Sequence, residues 1–121
     1  MKKLLTLLLL GLISISVSAR SISNVEQRGS WYYIYDEAGK KVKTLSASTL
    51  GDVKGWCSTF IVSQNGSWIN LYDIDGRRLK TLSASSVGEV IAVSGNTFTT
   101  RKGNWIYTYD ATGKRIHTRS R

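Results

Sequence analysis

The sequence predicts an all-β fold built from 37-residue, four-stranded repeats in a propeller-like arrangement, with a β-trefoil as the alternative. Three observations carry that expectation. The stretches "GSWYYIYDEAG", "GSWINLYDIDG" and "GNWIYTYDATG" spell one phrase three times, placing Trp31, Trp68 and Trp105 at intervals of 37 residues. Within each phrase the side chains alternate with the period of a strand, not that of a helix. Proline is absent from the chain, so no residue in it interrupts a β-ladder.

The chain opens with an export-type segment over residues 1–19. Lys2 and Lys3 precede an apolar stretch from Leu4 to Val17, and Val17-Ser18-Ala19 forms a small-residue cleavage site before Arg20. The apolar stretch falls short of the roughly 20 residues that a spanning helix requires. No cysteine follows it, so neither a transmembrane nor a lipoprotein anchor is expected. Residues 20–121 then form one small domain, periplasmic or secreted. Without Lys2 and Lys3, 15 basic residues face 8 acidic ones, a formal charge of +7 that favours acidic partners or surfaces.

A strand over residues 21–28 precedes the first repeat (31–67), the second repeat (68–104) and a partial third (105–121). The two full repeats match without a gap at 13 of 37 positions. In each, the Trp phrase is a strand: Trp31, Tyr33 and Tyr35 share one face, with Tyr32, Ile34 and Asp36 on the other. Asp36-Glu37-Ala38-Gly39 then closes a tight turn, with an aspartate to cap it and a glycine to supply positive φ. Asp73 to Gly76 and Asp110 to Gly113 repeat that chemistry. Return strands follow over residues 40–46, 77–83 and 114–120, where Val42, Leu79 and Ile116 alternate with cations and are expected to face inward. Third strands near 51–57 and 88–94, and fourth strands near 59–64 and 97–101, bring the expected total to eleven, one short of three complete units. The open edge this leaves invites pairing with another copy, so a homo-oligomer is expected.

The shared phrase, W-x-x-x-Y-D-x-x-G-[KR], resembles the YD and WG repeats of bacterial surface and secreted proteins. "WIYTYDATGKR" (Trp105 to Arg115) is most similar to the former. The resemblance covers about a third of each repeat. By size the unit also looks like a small propeller blade, and few-bladed bacterial lectins of that kind close a ring by oligomerising.

Few residue types here support catalysis. His117 is the sole histidine, and its counterparts in the other repeats are Lys43 and Lys80. No Cys/His cluster has metal-ligand spacing, Asp73-Ile74-Asp75-Gly76 lacks the remaining acids of a calcium loop, and no phosphate loop occurs. Neither a metal nor a cofactor is expected. The lone Cys57 permits no intramolecular disulfide and reads as a small buried hydrophobe.

Trp31, Trp68 and Trp105 have two readings, as stacking platforms for sugar rings or bases or as the large anchors of a symmetric core. Their recurrence at one place favours the core. Trp56, matched by Val93 in the next repeat, is the tryptophan freer for a surface role. The cations Lys41 and Lys43, Arg78 and Lys80, and Arg115 with His117 are expected to point the same way from equivalent strands. Together they would form a stripe of positive potential for an acidic polysaccharide or lipopolysaccharide phosphates, or else a solvated face that guards sheet edges. Export weighs against a genomic nucleic-acid partner. The expected function is a non-enzymatic binding module, with a self-assembling structural subunit as the competitor and an enzyme a distant third.

Overall fold

The computed structural model describes residues 20–121, and the export-type segment 1–19 lies outside the described residues. Eleven strands follow in order: β1 (Ile22–Arg28), β2 (Trp31–Asp36), β3 (Lys41–Ser46), β4 (Asp52–Trp56), β5 (Ile61–Asn65), β6 (Trp68–Tyr72), β7 (Arg78–Ser83), β8 (Glu89–Ser94), β9 (Thr97–Lys102), β10 (Trp105–Asp110) and β11 (Arg115–Ser120). Two four-residue helical turns, α1 (Ala47–Leu50) and α2 (Ala84–Val87), follow β3 and β7. The strands form three separate antiparallel sheets, ordered β1-β2-β3, β4-β5-β6-β7 and β8-β9-β10-β11. Among the described residues no ladder joins one sheet to another, so the repeats do not close a barrel of the trefoil kind.

The repeated phrase is a strand and its turn, for the local reasons legible in the sequence. Asp36 Oδ1 accepts from the backbone N–H groups of Ala38 at 3.0 Å and Lys40 at 2.9 Å. Asp73 accepts likewise from Asp75 and Arg77, and Asp110 from Thr112 and Lys114. Gly39, Gly76 and Gly113 take φ of 78°, 79° and 81°. The Thr112 hydroxyl and the Lys114 amide hold the Asp110 carboxyl below the ordinary aspartate range.

The sheets stack face to face, and the two interfaces draw on equivalent positions of the repeat. The first sheet turns Val25, Tyr32 and Ile34 toward Ile61 and Tyr72 of the middle sheet, with Leu50 of α1 between them. The middle sheet turns Val62, Ile69 and Leu71 toward Phe98 and Tyr109 of the last sheet, with Val87 of α2 between them. Each such side chain contributes about 1.5–3 kcal/mol by leaving water. Phe98 stacks on Tyr109 at 5.1 Å between centroids and meets Phe60 edge-on at 6.3 Å. The isoleucine face of one sheet thus packs on the tyrosine face of the next.

Register corrects three expectations. Trp31, Trp68 and Trp105 are not core anchors: they are 50%, 54% and 49% exposed. Each begins its strand, paired with a terminal serine (Ser46, Ser83 or Ser120), outside the layer that the neighbouring sheet covers. Trp56 is the half-buried one, packed beside Val53 against the core between the first two sheets. Leu79 and Ile116 do not face inward and Val42 is only half-buried, because a bulge in β3, β7 and β11 sets two residues against one at each of them. Leu79 and Ile116 are 48% and 54% exposed in consequence.

Candidate functional site

The same bulges split the cation pairs. Lys41 pairs with Tyr35, Arg78 with Tyr72 and Arg115 with Tyr109, on the face that carries the tryptophans. Lys43, Lys80 and His117 pair instead with Ile34, Leu71 and Thr108 on the opposite face. A two-residue step along a regular strand keeps a side chain on one face, and an inserted residue reverses it. The six residues therefore do not form one stripe.

The two sets of cations have different surroundings. Lys43 and Lys80 lay their stems on the turns of the next sheet, where a Cβ added to Gly76 would lie 3.2 Å from Lys43 Cγ and one added to Gly113 2.8 Å from Lys80 Cγ. Their aliphatic parts serve inter-sheet packing. His117 stands exposed on β11, with no side-chain hydrogen bond to a carboxylate or hydroxyl among the described residues. On the tryptophan face, Lys41 Nζ lies 4.7 Å from the Tyr33 ring centroid and the Arg115 guanidinium 4.8 Å from that of Tyr107. The ion pairs among the described residues join Arg20 to Asp75, Arg28 to Glu26 and Arg101 to Glu89. Lys41, Arg78 and Arg115 are in none of them.

One departure of the middle sheet from its neighbours opens a recess. Asn70 stands where the first sheet has Tyr33 and the last has Tyr107. With no ring there to stack under Arg78, a groove of about 650 Å³ opens, lined by Thr49, Asn65, Trp68, Asn70, Arg78 and Thr81 with Tyr72 at its end. Asn70 is only 5% exposed. Its Oδ1 accepts from the Thr81 hydroxyl at 2.8 Å, while its amide nitrogen has no hydrogen-bond acceptor among the described residues. Beside it across the ladder is Ser63, fully buried, whose Oγ has no hydrogen-bond partner. The equivalent Thr100 donates to the Val87 carbonyl at 2.6 Å. Asn65 holds the lip in place by donating to the carbonyls of Ser48 and Thr49.

Sequence reasoning singled out Arg78 and weighed Trp68 as a stacking platform, but not Asn70, Ser63 or Thr49. The signal was present: Asn70 interrupts the Tyr-x-Tyr pattern of the other two copies.

The outward faces of the end sheets carry polar residues where the middle sheet has apolar ones. On the first sheet, Asn24 and Glu26 replace the inward Ile61 and Ser63 of the middle sheet, and Glu26 accepts from Arg28 and from the Tyr35 hydroxyl. Burial and the Glu26 carboxylate hold the Tyr35 hydroxyl above its ordinary value. On the last sheet, Thr99 and Thr108 stand where the middle sheet has Val62 and Leu71, and Arg119 where it has Leu82.

The chain matches no protein-family model and no curated protein. Among solved structures it is similar to KlHsv2 with loop 6CD replaced by a Gly-Ser linker, at 12% identity and a TM-score of 0.47. That similarity covers 84% of this chain and 40% of the other.

Proposed function

We propose that this chain is an exported, non-enzymatic binding module whose sheets are propeller-like blades. It takes an acidic polysaccharide or the phosphates of lipopolysaccharide along the exposed margins of their tryptophan faces, in the cell envelope or outside the cell. The observation that carries the reading is the recurring pair of a half-exposed indole and an unpaired cation on one face: Trp31 with Lys41, Trp68 with Arg78, Trp105 with Arg115. An indole offers a flat apolar surface to a sugar ring, and a cation without an internal partner keeps its charge available to an anion. The formal charge of +7 over residues 20–121 draws anionic polymers toward these faces.

Heparin chromatography of residues 20–121 tests the reading. The chain should be retained. Lys41→Gln/Arg78→Gln/Arg115→Gln should elute at clearly lower salt than Lys43→Gln/Lys80→Gln/His117→Gln, because only the first set loses unpaired cations from the tryptophan face. Failure of the unmodified chain to bind, or equal effects of the two triple variants, would contradict the proposal.

A further inference from the structure

We infer that the groove on the middle sheet is a subsite for a carboxylate-bearing sugar, a uronic-acid residue of an acidic polysaccharide. This rests on the binding-module reading and narrows it to one place and one chemistry. Three features of the groove converge on such a ring. Trp68, 54% exposed, supplies a surface on which the C–H face of a pyranose stacks. Arg78 is the one charged residue lining the groove, and no carboxylate lines it. A guanidinium presents parallel N–H groups that match the two oxygens of a carboxylate. The Asn70 amide nitrogen, on a residue 95% withdrawn from solvent, has a hydrogen bond left to give. That amide faces the groove as a donor, and a sugar hydroxyl or ring oxygen can accept from it.

The other two sheets show why the site is single. In the last sheet Tyr107 fills the corresponding space and Arg115 lies over its ring, 4.8 Å from the centroid. In the first sheet Tyr33 and Lys41 do the same at 4.7 Å. Those cations remain free to attract an anion, but the recess beneath them is closed. One cation in the recess suits one negative charge per sugar.

Calorimetric titration of residues 20–121 with oligogalacturonate, its neutral methyl ester and a sulfated neutral oligosaccharide tests the assignment, with heparin retention measured in parallel. The free acid should bind at least roughly tenfold more tightly than the ester or the sulfated sugar, as expected for a hydrogen-bonded charge pair. Asn70→Tyr copies the filling residue of the other sheets. It should weaken oligogalacturonate at least tenfold while leaving heparin retention in place. Arg78→Lys keeps the charge but removes the fork, and should weaken the free acid similarly. Its position is exposed, so it carries the test if Asn70→Tyr does not fold. Binding of oligogalacturonate unchanged in Arg78→Lys, or no preference for the free acid, would overturn the uronate subsite while heparin retention upholds the broader reading. Loss of heparin retention by the unmodified chain would overturn both.

Discussion

Phe98→Ala is expected to lower stability by about 3–5 kcal/mol, the range for truncating a fully buried aromatic. Phe98 is fully buried and joins two aromatic contacts, the stack on Tyr109 and the edge contact with Phe60. It belongs to the last sheet, whereas Phe60 precedes β5 of the middle sheet, so its removal opens a void at the interface that holds the two together. Domains of this size have a total stability of roughly 5–15 kcal/mol. The variant should therefore melt at least about 12 °C lower, or fail to fold. Ile91→Ala, at a residue 46% exposed, is the matched comparison and should change stability by less than about 1 kcal/mol. Equal effects of the two substitutions, read by thermal denaturation, would mean that the sheets do not stack as described.

Gly88→Ala should be comparably severe, through the backbone. Gly88 follows α2 with φ 94° and ψ −161°, a conformation open essentially to glycine alone. A Cβ there would also meet the Arg101 carbonyl and come within 2.8 Å of Lys102 Cβ, both on β9. Backbone cannot yield as a flexible side-chain tip can, so α2 would have to lift from β9 and take Val87 out of the core. Gly29→Ala provides the contrast: φ is 58° and a Cβ would have nothing within 4 Å. Only the left-handed strain of about 1–2 kcal/mol applies there. Urea denaturation should separate the two by several kcal/mol in favour of Gly29→Ala. Similar midpoints would contradict the close approach of α2 to β9.

These two substitutions mark what the sequence could and could not convey. The strands and their Asp-x-x-Gly turns were legible because their causes are local: alternating side chains, an aspartate bonding its own turn, a glycine supplying positive φ. The division between core and surface was not, since it depends on how far one sheet covers the next. Trp31, Trp68 and Trp105 recur as a core residue would, yet they sit at strand starts beyond the covered layer. The buried layer falls instead on Ile34 and on Leu71, and on Tyr72 and Tyr109. The bulges at Val42, Leu79 and Ile116 were equally hidden. Alternation written along a strand assumes an unbroken ladder, and one inserted residue moves every side chain beyond it to the other face. That is why Lys41 and Lys43 looked like neighbours and are not. The α1 and α2 turns begin within the repeated "LSAS" segment and run two residues past it, with no helix-length periodicity to announce them. Asn70 was visible only as a difference between copies, and its meaning required knowing that Tyr107 fills the same space.

The central claim is that anions bind on the tryptophan face and above all at the middle sheet. Chemical-shift mapping during an oligogalacturonate titration of isotopically labelled residues 20–121 tests it most directly. The account predicts the largest changes at the Trp68 indole, the Asn70 side-chain amide and the Arg78 guanidinium, with smaller ones at Trp31 and Trp105. Lys43, Lys80 and His117 should remain nearly still. Changes centred on Lys80 and His117, or spread evenly over all the cations, would contradict it.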